Sequence, residues 1–351
     1  MKVLHIVRQF GPVGGMERYA WEVARAQAEM GMNVSILCEV CHDQDAANIQ
    51  VHVIGQGLRR PRWLSALLFS RCVTRWIKEH PQTDTVIHSH ETTGVHHITT
   101  LHGPPFARIK ARGWWKMISL RVLANLWLEQ REVCGPQVQK VIPNSTLISQ
   151  ALSKAYPCIG SRMASAIVPG VEPGPTRPAR AIPADGGVIG FIGKEWRRKG
   201  LDIAVGIVQE LRRHRPKLEF QVLGPDPEDV RHLFHDWQGG FQLLGKTDAQ
   251  PHLPNMDLLL HPARYEPFGM VITEALAAHV PVVISDMCGA SDELQPGLGK
   301  LLKDGSPVSD WAAACEDILN RQSSIPDYQR SWQQVAKEYM EIYRTLDLRG
   351  Q

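Results

Sequence analysis

Apolar residues recur along the chain in two rhythms that take turns. Short runs at residues 2–10 (KVLHIVRQF), 33–40 (NVSILCEV), 83–90 (TDTVIHSH), 98–103 (ITTLHG) and 139–145 (QKVIPNS) predict buried strands. Residues 15–31 (GMERYAWEVARAQAEMG) show helical spacing and predict an amphipathic helix ended by Gly31. The alternation restarts further on. Residues 188–194, 218–224, 241–246, 256–262 and 280–286 predict strands, while 200–215 and 269–279 predict helices. Strands alternating with helices predict a mostly parallel, doubly wound α/β sheet. Two such blocks predict two Rossmann-like domains.

The blocks are separated by residues 168–187 (VPGVEPGPTRPARAIPADGG), too rich in proline for regular structure and read as a linker. The expected plan is a first domain over 1–170, a linker over 171–187, a second domain over 188–328 and a closing helix over 329–351. A length of 351 residues agrees with two domains at roughly 150 residues each. With 43% hydrophobic and 21% charged residues the chain is of the soluble globular class. No apolar run reaches the ~18 residues of a membrane span, and the opening reads as a strand without a signal-peptide cleavage site, so a cytoplasmic location is expected.

Charge and cysteine change the picture little. Residues 1–170 hold 19 Lys+Arg against 11 Asp+Glu, a balance of +8, and the remainder hold 20 against 25, a balance of −5. The basic half suits an anionic surface or an ordinary solvated one. Seven cysteines in a chain without a secretory signal predict free thiols. Residues 38–42 (CEVCH) have the form of a haem-attachment motif, but they end a predicted strand instead of lying in an open loop.

Chemistry gathers just after the strands, where open parallel sheets bind ligands. Gly14 and Gly15 precede the first helix and allow backbone N–H groups to approach a phosphate. They do not complete a dinucleotide fingerprint, and Glu39 is the sole acidic candidate at the second strand's end. Residues 192–200 (IGKEWRRKG) place Gly193, Lys194 and Lys199 around a short loop that enters a helix at Gly200, an arrangement suited to a diphosphate. In residues 264–276 (RYEPFGMVITEAL), Glu266 precedes the helix and Glu274 lies within it. Their eight-residue step spans ~12 Å if wholly helical, beyond the ~5 to 9.5 Å of hydrolase carboxyl pairs. It fits better two sugars joined by a diphosphate, with the N–H groups of Phe268, Gly269 and Met270 between them.

Taken together, Gly14-Gly15, His102 in TLHGPP, Lys194 with Lys199-Gly200, and the E-x7-E block of Glu266 and Glu274 resemble the retaining GT-B glycosyltransferases of family four over nearly the whole chain. The resemblance implies two Rossmann-like domains facing across a cleft, the first binding the acceptor and the second the nucleotide sugar. It also implies a closing helix that crosses back to the first domain. The reaction implied is transfer of a hexose from a UDP- or GDP-sugar to a saccharide or lipid-linked acceptor, as in lipopolysaccharide core or surface polysaccharide synthesis, without a metal. By the same resemblance Lys194 and Lys199 meet the charge of the leaving diphosphate, Glu266 the transferred sugar and Glu274 the ribose. His102 lies near the donor sugar, and Gly193 and Lys246, in residues 243–248 (LLGKTD), line the nucleotide site. Three departures stand out: Lys194 where arginine is common, His279 where a glycine usually ends the helix, and CGASDE near the end, which leaves Asp292 and Glu293 both open for the acidic position. A nucleotide-sugar epimerase of the same fold and a non-catalytic nucleotide-sugar-binding partner are the alternatives.

Several motifs compete. HSHETTGVHH gathers His88, His90, His96 and His97 but lacks the H-E-x-x-H spacing. Asp43-Gln44-Asp45 imitates a D-x-D metal motif in the wrong context, and Asn144-Ser145-Thr146 has the form of a glycosylation acceptor. Residues 104–131 carry six Lys/Arg, one Glu and Phe106, Trp114, Trp115 and Trp127. That composition suits either a core helix with an exposed arm or the inner face of a membrane. No recognition motif for nucleic acid accompanies the charge.

Overall fold

Each block of the sequence builds its own six-stranded, wholly parallel sheet. The computed structural model describes residues 1–43, 48–55, 57–58, 60–112, 119–321 and 325–348, with the backbone alone at 111 and 112. The chain divides into two compact units, Met1–Gly170 with Arg330–Gln351, and Val171–Gln329.

The first unit runs β1 (Lys2–Ile6), β2 (Gln9–Phe10), α1 (Gly15–Glu29), β3 (Asn33–Cys38), β4 (Val40–Cys41), β5 (Ile49–Val53), α2 (Arg62–Glu79), β6 (Thr85–Ser89), β7 (Ile98–Leu101), α3 (Leu120–Cys134), β8 (Lys140–Pro143) and α4 (Thr146–Ala155). Its sheet has the order β5-β3-β1-β6-β7-β8. The predicted strand at 2–10 is broken after Ile6, because Gln9 and Phe10 leave the sheet to pair with Val40 and Cys41. Alternation along β1 sends Leu4 and Ile6 into a core with Leu37, Phe69, Val73 and Ile87. His5 takes the other face and lies in register with His88 of β6.

The second unit continues with β9 (Gly186–Ile192), α5 (Trp196–Lys199), α6 (Leu201–Leu211), β10 (Lys217–Leu223), α7 (Pro227–Val230), β11 (Phe241–Gly245), β12 (Leu258–His261), α8 (Met270–Ala277), β13 (Val282–Ser285), β14 (Gly299–Leu302) and α9 (Val308–Asn320). Its sheet has the order β11-β10-β9-β12-β13-β14. α6 and α9 cover one face around Phe191, Phe220 and Leu260. The closing helix α10 (Trp332–Arg344) belongs to the first unit, where a capping box of Ser331 and Gln334 starts it and Tyr339 bonds Tyr19 of α1.

Four expectations change. Residues 171–185 contain no helix or strand, yet they are tied down: Arg177 and Arg180 both bond the Asp257 carboxylate, at 2.7 and 3.0 Å, and that carboxylate also accepts from Val188 N. Cys134 and Cys158 form a disulfide, so free thiols are found at Cys38, Cys41, Cys72, Cys288 and Cys315 only. Lys194 and Lys199 bracket no loop, since Trp196–Lys199 is a helical turn. Finally, His279 does what a glycine would do. It adopts φ +59°, while its N–H bonds Leu276 O and that of Val280 bonds Ala275 O, completing a Schellman ending for α8.

Candidate active site

In the second unit both sheet halves turn away at β9 and β12, the switch point at which such sheets bind ligands. The chain leaving β9 makes a tight turn at Gly193, and the methylenes of Lys199 lie where a side chain at 193 would be. Lys199 is thereby laid across the turn toward Glu266. The segment carrying Glu266 is extended because it bridges the chain after β13: Glu266 N bonds Met287 O and Glu266 O accepts from Gly289 N, both at 2.9 Å. Gly269 then takes φ +97° to start α8, a backbone state few other residues tolerate.

On this frame three groups converge on one oxygen. Oε2 of Glu266 lies 3.1 Å from Lys199 Nζ, 3.3 Å from Arg198 and 3.6 Å from His261 Nε2. Burial by itself would push the Glu266 carboxyl upward, but His261, Lys199 and Arg198 outweigh it and hold the group well below the usual carboxylate range. At 3.6 Å the His261 contact is too long for a hydrogen bond and acts as a weak electrostatic one. Arg198 is further fixed by Glu195 at 2.6 Å and Tyr265 O at 2.7 Å. Neither Arg198 nor His261 was picked out by sequence. Arg198 adjoins Lys199 in a run of cations, and His261 is one more histidine at a strand end.

The other predicted residues fall at the same end of the sheet. Lys194 is exposed and makes no ion pair among the described residues, so the two lysines differ: one is free for an anion and the other is already engaged. Lys246 is exposed at the end of β11. Phe268 is buried, with its carbonyl bound by Ala290 N, Met270 opens α8, and Glu274 is buried in the next turn of that helix. Of the two acids left open by CGASDE, Glu293 accepts from Tyr328 Oη at 2.9 Å and Asp292 is exposed.

In the first unit, Gly14 is the N-cap of α1 and the Glu17 carboxylate sits where its side chain would be. Gly15 has open space beside it. Glu39, the acidic candidate after β3, is paired with Arg8 at 2.7 Å. His102 follows β7, and its Nε2 lies 3.0 Å from His90 Nδ1. His90 Nε2 lies 3.1 Å from His5 Nδ1, and His5 Nε2 lies 2.8 Å from Gln27 Oε1. The switch point β1/β6/β7 is therefore filled with imidazoles. Burial pushes His5 down to about 4 and His102 to about 3, and holds His88 and His90 well below the ordinary value.

The competing motifs dissolve in this setting. His96 bonds Thr93 and Glu132 O, and His97 accepts from Ile87 N, so the HSHETTGVHH histidines separate. His5, His88 and His90 do approach one another closely enough for a cation, but all six of their ring nitrogens are engaged in hydrogen bonds. Cys38 is buried in β3 with its thiol pushed up to about 12 by burial, a poor haem-attachment site. Asp43 accepts from Trp21 Nε1, while Asp45 lies outside the described residues. Asn144 is buried and Ser145 caps α4, which makes the apparent sequon a helix start. Trp114 and Trp115 lie outside the described residues, and no described helix is long and apolar enough to cross a membrane.

Two family models match the chain, Glycosyltransferase Family 4 over residues 13–173 and Glycosyl transferases group 1 over residues 186–321. The D-inositol 3-phosphate glycosyltransferase of Paenarthrobacter aurescens (strain TC1) is 25% identical over 397 aligned residues, covering 95% of this chain and 93% of that one. Among solved structures, WaaG, a glycosyltransferase involved in lipopolysaccharide biosynthesis, superposes with a TM-score of 0.75 at 17% identity over 99% of this chain and 96% of its own. Anabaena HepE, in complex with UDP and glucose, does so with a TM-score of 0.67 at 18% identity over 99% and 100%. At such identities the structural likenesses speak for the fold alone.

Proposed function

Because the chain belongs to the group 1 glycosyl transferases of family four and has the GT-B fold, we propose that it is a retaining hexosyltransferase. Its donor is a UDP- or GDP-sugar and its acceptor a saccharide or a lipid-linked sugar. The observation that carries this reading is the ionised Glu266 pinned by Lys199 and Arg198 beside the start of α8. A glycosidase acid needs a raised carboxyl pKa so that it keeps a proton to give. Glu266 is driven the other way, which suits a hydrogen-bond acceptor for sugar hydroxyls.

In the reaction, the bond from the anomeric carbon to the diphosphate breaks while the acceptor oxygen bonds the same face. The acceptor proton passes to the departing phosphate oxygen. Lys194 and Lys199, with Arg198 behind them, meet the charge that grows on that phosphate without a metal. Glu274 holds the ribose, Gly193, Lys246 and the N–H groups of Phe268, Gly269 and Met270 line the nucleotide, and His102 contacts the transferred sugar. Gly15, with open space beside it, leaves its backbone N–H free to approach a phosphate, whereas Gly14 is covered by the Glu17 carboxylate.

Lipopolysaccharide or surface polysaccharide assembly is the pathway we favour; WaaG, a glycosyltransferase involved in lipopolysaccharide biosynthesis, shares the fold. Peripheral membrane contact fits the exposed Leu120, Leu123 and Trp127 along α3. Flotation with anionic vesicles tests it, and retention of binding in a Leu123→Ser/Trp127→Ala/Trp114→Ala variant would argue against it. For the function itself, thermal shifts against UDP-, GDP- and ADP-sugars identify the donor. Slow hydrolysis of that donor should fall about 10²- to 10³-fold in Lys199→Ala with the fold intact. Unchanged turnover would overturn the mechanism, and absence of any turnover in the unaltered protein would leave a binding protein.

A further inference from the structure

The hydrogen bonds around the imidazoles of the first unit admit only one direction. Tyr19 Oη is 3.2 Å from Ile167 O, a carbonyl, so Tyr19 must donate. Its oxygen then accepts from Tyr339 Oη at 2.8 Å, which has spent its own proton and accepts from Thr100 Oγ1 at 2.8 Å. Thr100 in turn accepts from His88 Nε2–H at 2.8 Å, leaving His88 Nδ1 as a lone pair. Tyr343 Oη donates to that lone pair at 2.6 Å and accepts from the Gln27 amide nitrogen at 3.2 Å. The Gln27 amide is therefore oriented by the network, and its oxygen accepts from His5 Nε2–H. His5 Nδ1 accepts from His90 Nε2–H, and His90 Nδ1 accepts from His102 Nε2–H.

We propose that His5 and His90 are positioning residues that fix His102 as the Nε2–H tautomer, so that its Nδ1 meets a ligand only as a hydrogen-bond acceptor. The consequence is specificity. A neutral lone pair welcomes a hydroxyl donor, such as a sugar hydroxyl, and disfavours the anionic oxygen of a phosphate. The tautomer assignment stands independently of the proposed function, and only the identity of the hydroxyl rests on that reading. The low affinity of these rings for a second proton agrees, since a charged imidazolium at His5, His88 or His90 would leave two donors facing each other, and a second proton on His102 would turn its Nδ1 from acceptor into donor.

Histidine-selective 15N labelling of the full chain tests this, with long-range 1H–15N correlations at pH 7 and His102 assigned through His102→Gln. The expected result is an unprotonated Nδ1 and a protonated Nε2 at His102, with slowly exchanging Nε2–H signals at His5, His90 and His102. In His90→Phe the His102 Nε2–H signal should be lost to exchange and its Nδ1 shift should move to an averaged value. His5→Phe should do the same at His90 without touching His102 directly. A protonated Nδ1 at His102, an imidazolium there, or an unchanged His102 in a folded His90→Phe protein would overturn the proposal. So would loss of these N–H signals on adding zinc, which would mark a cation site. If both variants fail to fold, the tautomer of the unaltered protein decides.

Discussion

At the ends of β1, β6 and β7 the candidate side chains are neutral and bonded in line, whereas at the ends of β9 and β12 they are charged and crowd one oxygen. Both groups sit at a switch point of a parallel sheet, so the difference comes from the residues and not from the topology. A buried imidazole stays neutral when burial is uncompensated, and its orientation then carries the information. A carboxylate with two cations keeps its charge despite burial, and its field carries the information.

Acid should separate the two most strongly. Below about pH 6.5 the unfolded chain takes up protons at His5, His88, His90, His96 and His102 that the folded first unit refuses, so stability falls as pH falls. Glu91 and Glu132, pushed up by burial to about 7 and about 8, oppose this, because the folded form keeps protons that the unfolded form has lost. The fully buried histidines outnumber these two carboxyls, so the first unit loses stability as pH falls below about 6.5. Glu266 has a depressed pKa, so its contribution persists until pH falls below its unfolded value of 4.5. Hydrogen exchange at pH 5.5 against 7.5 should show the first unit losing protection before the second; the reverse order would break the comparison.

Next in size, Glu266→Gln keeps the shape of the charged site and removes its charge. Donor hydrolysis is expected to fall about 10²-fold, roughly 3 kcal/mol, measured with whichever sugar nucleotide gives the largest thermal shift. Tyr339→Phe cuts the neutral line where it accepts from Thr100 and donates to Tyr19, and should cost about 1 to 3 kcal/mol in urea unfolding. The smallest effect concerns His279, held at φ +59° and paired with Asp327 at 2.9 Å. His279→Gly relieves the left-handed strain but adds freedom to the unfolded chain, for a net gain within about 1 kcal/mol in the same assay.

Much of this was legible in the residues, unevenly. Strand and helix positions followed from hydrophobic periodicity, since each burial pattern is local: α1 was expected over 15–31 and spans Gly15–Glu29. Edge strand β5 and helices α2 and α9 were not assigned, as their apolar residues make no run against polar surroundings that separates helix from strand. The Cys134–Cys158 pair was missed because nothing local brings the end of α3 to the turn after α4. In the charged site, Glu266, Lys194 and Lys199 lie within two short motifs and were found together. Arg198 and His261 were invisible because only the fold brings the helical turn at 196–199 and the end of β12 to one oxygen of Glu266.

By itself the sequence determined the two α/β blocks, the strand ends at which chemistry collects and the family to which the E-x7-E segment belongs. These depend on spacing along the chain, and spacing is what a sequence records. Only the tertiary structure decided that Glu266 is held ionised, that His279 imitates glycine and that Gln27, His5, His90 and His102 share one direction of donation. Those properties arise from groups up to 320 residues apart, such as Tyr19 and Tyr339, meeting at hydrogen-bond distance. Burial then fixes charge and tautomer together, because a low-dielectric interior leaves no water to supply a missing partner.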